Sequence, residues 1–573
     1  MFKDYTMGQL VLPMDFSDLI PENHVSRVVH DMIEQVDEQL FYAAYEGGGR
    51  PSYHPKMMTK IVLYAYTQKW YSCRDIQKAL EENLPMMWLA AQQVPNFRTI
   101  NRFRSERMQD LIEPLFTQLI QLLLDQEYIT MEHYFLDGTK IEANANRYSF
   151  VWRKASERYE AKLQDKLKTL FAHIEDTIRQ DEATCSPSEE PSARITSEQL
   201  QEAVHQVEEQ LGKAEQAVES AADPEEKKVK KEELRTLRRM HKSMTSDYLP
   251  RLQKYEDHFA TFGDRNSFSK TDRDATFMRM KEDHMKNGQL KPGYNVQAGT
   301  ENQFILGYSI HQRPTDARCF QPHMKMLKNR ALPFPEQVVA DAGYGNESNY
   351  VYADDQDIDL LVPYNMWRKE KKRSFKKNPY HVQNWTYDDK GDYFICPNNQ
   401  KVTFRYKKHR TDTYGYRRQF RIYEAEDCSN CPVKSACTKA KGNRQIHYNP
   451  LYEAKKKKAR EALGTEEGAE TYKLRKVEVE SVFGHIKGNR SLRRFSLRGL
   501  DKVNVEFGLA AIAHNLLKQK EVDNLYHYHK DNTKKSVVMN NHHNGFFNTF
   551  QRLLGQPQHC KIRAICGIWA VSA

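Results

Sequence analysis

Two short apolar runs, Tyr134-Phe135-Leu136 and Val338-Val339-Ala340, each end on an aspartate, Asp137 and Asp341, with glycine close behind at Gly138 and at Gly343 and Gly345. Branched and aromatic runs bounded by turn residues predict buried strands. A carboxylate directly after such a strand stands at the strand's carboxyl end, the edge of an open α/β sheet where ligands bind. Taken singly, each aspartate is equally a turn or helix cap. Leu360-Leu361-Val362 predicts a further strand. Alternation at Tyr294, Val296 and Ala298, then at Phe304, Leu306, Tyr308 and Ile310 after the turn Gly299 to Asn302, predicts a hairpin. With helical segments between them, these strands describe an α/β sheet with a meander at one edge.

The segments around this sheet are helical. Val25 to Ile33 and Met57 to Leu63 carry apolar residues at three- and four-residue spacing. Ser72 is placed to cap a helix bearing Ile76 and Leu80, and after breaks at Pro85 and Pro95 a second helix carries Arg98, Thr99, Asn101, Arg102 and Arg104. That pair reads as a helix-turn-helix with Arg98, Arg102 and Arg104 toward a DNA groove, or as the polar face of an ordinary bundle. Between the first strand and the hairpin, Ser149 to Phe259 is polar but spaced four, three, four at Leu163, Leu167, Leu170 and Ile174. Similar spacing recurs at Leu200, Val204, Val207 and Leu211 behind a Thr196 to Gln199 capping box. This predicts a coiled-coil-like helical insertion whose stripe is a packing seam or a dimer contact.

A third carboxylate stands on a predicted helix, Tyr472 to Lys487. Lys476, Glu480 and Lys487 fall at intervals of four and seven, which on a regular α-helix is one stripe, an acid flanked by two cations. Glu478 is the competing acid, but two residues apart the two point about 200° away from each other, and only Glu480 shares the lysines' face. The positive surface continues through Arg490, Arg493 and Arg494. A solvated salt-bridge face is the alternative.

Three carboxylates suit one chemistry well. Phosphodiester cleavage needs an in-line nucleophile and a stabilised leaving oxygen, which two Mg²⁺ ions ~3.5 to 4 Å apart supply, and hard cations choose carboxylate oxygens. The formal charge of +10 favours a polyanionic partner. A hydrophobic fraction of 39%, a charged fraction of 29% and a mean hydropathy of -0.81 exclude an integral membrane protein, as does the lack of any long apolar run. Met1 to Leu12 does not read as a secretion signal, so the expected compartment is the cytoplasm.

Nine cysteines in such a chain do not form a disulfide framework. Cys396 in ICPNNQ and Cys428, Cys431 and Cys437 in CSNCPVKSAC instead predict a structural Zn²⁺ site stapling a polar β segment, with four reduced thiols as the alternative. The histidines of the tail, His527, His529, His542 and His543, read as solvated residues.

The segments FLDGTKI, VVADAGYG, RKVEVESVFGHIKGNRSLRRF and LRGLDKVNVEFGLAAIAHNLLK, in this order, resemble the DDE transposases of bacterial insertion sequences. The resemblance implies an RNase H-like mixed-sheet core, with Asp137, Asp341 and Glu480 holding two Mg²⁺ or Mn²⁺ ions. It also implies a partner, double-stranded DNA at the element's terminal inverted repeats and in the target, bound by a nucleoid-associated homodimer. In many such enzymes the acidic helix reads Tyr, two residues, Arg, three residues, Glu, six residues, Lys. Here Glu480 and Lys487 keep their gap, but Lys476 stands four before Glu480, and Arg475 and Tyr472 are each displaced by one. Lys476, Lys487, Arg475 and Tyr472 are expected to contact DNA, and Trp367 either stacks a displaced base or is a half-buried surface aromatic.

The expected division is a helical DNA-binding domain over 1–127 and the RNase H-like core over 128–148 and 260–375, interrupted by a helical arm over 149–259. A cysteine-containing β insertion over 376–450, the core's acidic and basic helices over 451–520 and a tail over 521–573 complete it. The expected activity is metal-dependent cleavage at element ends followed by strand transfer. The alternatives are a nuclease or resolvase that cuts without joining, and a catalytically idle DNA-binding descendant.

Overall fold

The computed structural model describes residues 15–43, 52–181, 194–221, 223–280 and 288–539. The expected linker at Cys185 to Ser192, His542, His543 and the apolar stretch from Phe546 to Ala573 lie outside the described residues. The described chain divides into two units, Glu142–Tyr294 and the remainder.

In the first unit the amino-terminal region is all helical. Helix Val25–Glu34 buries Val25, Val29, Met32 and Ile33 on one face, and His24 caps it by accepting from Ser26 N. Helix Pro55–Thr67 is buried almost all round, as expected of a central helix. It lies between Val25–Glu34 and the long helix Leu500–Met539. Ser72 caps helix Cys73–Glu82 and Asn96 caps Phe97–Arg102. Pro85 does not break the chain as expected. It occupies the first turn of an additional helix, Leu84–Leu89, where its lost N–H has no intrahelical partner to forfeit.

Strand β1 (His133–Glu142) leads into the second unit. There β2 (Phe150–Trp152) pairs with β3 (Ser267–Ser269), and β4 (Thr276–Arg279) pairs with residues 290–293. Helices Arg153–Asp181, Ser197–Ser220, Pro224–Ser243 and Leu249–Phe262 lie between β2 and β3. Thr196 and Gln199 form the reciprocal capping box, and Leu163, Leu167, Ile174, Leu200, Val204, Val207, Met244 and Leu252 make one buried cluster. The apolar stripe is thus an internal seam: the arm has a core of its own.

The chain returns along β5 (Leu290–Glu301), β6 (Phe304–His311), β7 (Gln337–Ala340) and β8 (Asp359–Leu361). The order β6-β5-β1-β7-β8 combines an antiparallel β5–β6 hairpin with parallel β1–β7 and β7–β8 pairs. This is an RNase H-like mixed sheet beside an amino-terminal helical domain. Buried on both faces, β1 and β7 need continuous apolar runs, which the sequence shows. Helix Leu500–Met539 packs on β6, and Tyr308 wedges between Phe116 and Phe507 with ring centroids 5.1 and 5.3 Å away. Gly508 permits this approach, because any Cβ there would collide with the Tyr308 hydroxyl and with Ile112.

A second sheet, wholly antiparallel, is inserted before the acidic helix. Strands β9 (Thr386–Asp388), β10 (Tyr393–Ile395), β11 (Lys401–Thr411), β12 (Arg417–Ala425) and β13 (Gln445–Tyr448) follow one another as neighbours. Trp385, Phe394, Val402, Tyr423 and Ile446 form its core. Among the described residues no helix is long and apolar enough to cross a membrane.

Candidate active site

The parallel register pairs Leu136 with Ala340, so Asp137 and Asp341 emerge side by side at the carboxyl end of the sheet. Each carboxylate is oriented by the turn behind it: Gly138 N donates to Asp137 Oδ1 at 2.8 Å, and Gly343 N to Asp341 Oδ1 at 2.8 Å. A side chain at position 138 would run into Gln297 and Asp316. Asp316 is therefore a fourth carboxylate next to this turn, accepting from Asn295 Nδ2 at 2.7 Å and Gln297 Nε2 at 3.0 Å. Buried Tyr344 donates to Gln297 Oε1. Burial raises its phenol pKa, and the charges of Asp316, Asp137 and Asp341 raise it further.

The acidic helix over 466–489 is irregular. Helical turns Glu466–Arg475 and Ser481–Gly484 alternate with π turns at Lys476–Glu480 and His485–Asn489. On a straight α-helix, residues five apart diverge by about 140°, but a π turn bonds i to i+5 and so takes up an extra residue. Across the first π turn Arg475 Nη2 donates to Glu480 Oε1 at 2.7 Å, while Nη1 lies 3.7 Å from Asp137 Oδ2. The Arg475 side chain is only 9% exposed, against 46% for Glu480. Burial works against its charge, yet Asp137, Tyr472, Glu480 and Asp341 together hold its pKa above the ordinary arginine value. Two of the predicted carboxylates, Asp137 and Glu480, thus pair with one guanidinium, and Asp341 stands at the strand end beside Asp137. The one-residue displacement of Arg475 and Tyr472 in the sequence is what the π turn absorbs.

Glu478 points elsewhere. It accepts from Gln303 N at 2.7 Å, in the β5–β6 turn where Asn302 and Gln303 both have positive φ. Burial pushes its pKa up to about 7, against the Gln303 hydrogen bond, with Glu301 raising it further and Lys518 lowering it. An acid whose pKa is raised on folding stabilises the fold fully below its unfolded value and loses that contribution as pH rises through the folded value. Glu478→Gln is therefore expected to match the parent protein in urea unfolding at pH 4 and to be more stable by ~2 kcal/mol at pH 8. Equal stability at both pH values would refute the assignment.

The cations expected around the triad divide. Lys476 is exposed, but Lys487 is only 7% exposed, because the two π turns rotate it off the stripe that a regular helix would give. The Tyr472 ring lies 6.0 Å from the Arg475 guanidinium carbon and 6.0 Å from the Trp367 ring. Trp367 also carries Lys371 Nζ over its face at 3.7 Å, so it is a packed, half-buried aromatic. Arg490 donates to Thr67 O and its own carbonyl accepts from Tyr71 Oη at 2.6 Å, tying the helix end to the amino-terminal domain. Arg493 and Arg494 are exposed.

Arg98 and Arg102 line a cleft with Arg74 and Glu106, Arg102 pairing with Glu106 at 3.0 Å. Arg104 also borders this cleft but is turned into the protein. It is 4% exposed and donates to Tyr71 O at 2.7 Å, since a further π turn, Phe103–Arg107, carries it inward. A basic surface not singled out from sequence lies on β11 and β12, where Arg405, Lys407, Lys408 and Arg417 are exposed. Its sequence signal is a strand, Lys401 to Thr411, with no acidic residue.

Cys396, Cys428, Cys431 and Cys437 gather at one end of the second sheet. Arg444 N donates to Cys428 Sγ at 3.5 Å. Burial raises the Cys437 thiol pKa against Arg444, and Cys396, Cys428 and Cys431 raise it further. Among the described residues, no three His, Cys, Asp or Glu side chains stand ready in metal-ligand geometry, here or at the triad.

Residues 395–519 match the family model described as Transposase DDE domain, and residues 14–106 match Transposase domain (DUF772). Over these two segments the chain is similar to transposases, and the pair of matches is consistent with a DDE transposase. The first match includes Glu480 and the cysteine segment, and the second the arginine cleft, while Asp137 and Asp341 lie between the two. No curated protein and no solved structure matches. The matched families are transposase families, whose substrate is DNA, and the DDE family generally uses divalent metal ions.

Proposed function

We propose that Asp137, Asp341 and Glu480 are the catalytic carboxylates of a cut-and-paste transposase acting on its own element in the bacterial nucleoid. It cleaves DNA at the ends of an insertion sequence and joins the freed 3′-hydroxyl to target DNA. What supports this is their convergence: Asp137 and Asp341 leave neighbouring strand ends, and Asp137 and Glu480, far apart in sequence, both pair with Arg475. A cluster that binds one positive charge has the donor set for Mg²⁺ or Mn²⁺. When bound, a pair of such ions supplies Lewis-acid stabilisation of an in-line displacement at phosphorus.

The protein's own residues do the positioning. The Gly138 and Gly343 amides fix the two aspartates, and Gln297 and Asn295 hold Asp316 behind them. In cleavage, water oxygen bonds to phosphorus and the 3′ oxygen leaves as a hydroxyl; in joining, that hydroxyl attacks a target phosphorus and displaces its 3′ oxygen. The exposed ribbon of β11 and β12, with Arg405, Lys407, Lys408 and Arg417, offers phosphates a basic two-stranded element of the kind a major groove admits. Arg98, Arg102, Arg493, Arg494 and Lys476 add backbone contacts. The test is an assay of the purified protein on DNA bearing the element's ends, with Mg²⁺ and a target plasmid. Cut and joined products are expected; cutting without joining would make it a nuclease, and neither would refute the reading.

Zinc at Cys396, Cys428, Cys431 and Cys437 belongs to the same proposal. Four thiols packed about one small core, with an N–H directed at one sulfur, are the donor set of a tetrahedral structural site. Native mass spectrometry is expected to find one zinc per chain, lost in Cys428→Ser together with the second sheet's resistance to protease. A metal-free native mass would exclude it.

A further inference from the structure

The strongest unexplained feature of the site is the position of Arg475. Its guanidinium is not at the surface where a phosphate would meet it, but buried between Asp137 and Glu480, with Asp341 within electrostatic reach. Three carboxylates so arranged, two of them from adjacent strand ends and one of these, Asp137, buried, repel one another. A planar fork with donors on both arms meets two carboxylates at once, as a lysine would not. The π turn at Lys476–Glu480 is the backbone device that allows it, because without the extra residue Arg475 and Glu480 would face different sides of the helix.

We propose that Arg475 is the counter-cation of the metal-free site: it bridges Asp137 and Glu480 in place of a divalent ion and gives up the bridge when such an ion binds. Arg475 and the metal are then alternative occupants, and each stabilises the same three acids. The inference rests on reading those acids as the metal site. Its consequence is that the transposase without metal or DNA is held in a closed, electrically satisfied state, and that metal binding is weakened by the work of moving Arg475.

The test uses the full chain without DNA and Mn²⁺ alone as the probe, with the parent protein, R475Q, R475K and D341N. Binding is read by titration of free Mn²⁺, and thermal unfolding is followed in metal-free buffer and at saturating Mn²⁺. R475Q is expected to bind Mn²⁺ about tenfold more tightly than the parent, the ratio that loss of one charge-assisted bridge corresponds to. Its melting temperature should fall by about 2–4 °C without metal and recover to the parent value with it. R475K keeps the charge but loses the fork, and should also bind more tightly than the parent.

Equal affinity in R475Q and the parent, or a melting deficit that persists at saturating Mn²⁺, would show a fixed structural arginine and overturn the proposal. R475K identical to the parent beside a tighter R475Q would reduce the effect to charge alone and overturn the bridge. If D341N bound Mn²⁺ as well as the parent does, the metal-site reading itself would fail, which separates that failure from one confined to Arg475.

Discussion

Asp137→Asn, Asp341→Asn and Glu480→Gln are each expected to lower Mg²⁺-dependent cleavage of element-end DNA by about 10³-fold or more, equivalent to ~4 kcal/mol of lost transition-state stabilisation. The amide variants are the informative ones. An asparagine in place of Asp137 or Asp341 keeps an oxygen for the Gly138 or Gly343 amide, so the turns survive and only the charge is lost. DNA binding should persist in all three, since phosphate contacts come from cations elsewhere. Glu478→Gln is the control on the same helix: its carboxyl is turned to Gln303 N, and cleavage should be unchanged. Full activity in any of the three triad variants would remove that residue from the site.

Glu506→Ala is expected to destabilise the first unit by about 3 kcal/mol or more, the cost of stranding several buried donors at once. Glu506 is fully buried in helix Leu500–Met539. It accepts from Ser496 N at 2.9 and 3.0 Å, from Ser496 Oγ at 2.7 Å and from Leu497 N at 2.8 Å, pinning the segment that follows the acidic helix. Its charge also supports buried Arg104. Glu506→Gln, which can still accept, should lose less. Urea unfolding followed by tryptophan fluorescence gives the comparison, and an alanine variant within ~0.5 kcal/mol of the parent would show that the segment is held by packing alone.

The parts of this molecule legible in sequence are those governed by one local rule. Continuous apolar runs ending on aspartate identified β1 and β7, because a strand covered on both faces has no polar positions to spare. The alternation over 294–310 marked the β5–β6 hairpin, and the spacing of Leu163, Leu167, Leu200 and Val204 marked the arm's seam. Glu480 could be told from Glu478 by simple helical phase, and the two do face different surroundings. What could not be read is where the helical phase itself changes. Three π turns, at 103–107, 476–480 and 485–489, carry Arg104 and Lys487 inward and bring Arg475 over Glu480. No side-chain pattern announces a π turn, since it is held by tertiary contacts on each side of it. Asp316 was hidden for another reason: its loop has no periodicity, and only its contacts in the fold, with Asn295, Gln297 and the space above Gly138, reveal it.

The parallel pairing of β1 with β7 also has a consequence in time. Translated at about 5–20 residues per second, Tyr134-Phe135-Leu136 leaves the ribosome roughly 10–40 s before Val338-Val339-Ala340, its partner in register, has been made. During that interval the arm's four helices, which share a core of their own, are free to fold while the strand bearing Asp137 has no neighbour on that side. The nascent chain therefore cannot present both aspartates until more than half of it exists, and Glu480 arrives later still. On the reading proposed for these three acids, an unfinished chain lacks the complete set and is expected to be inactive.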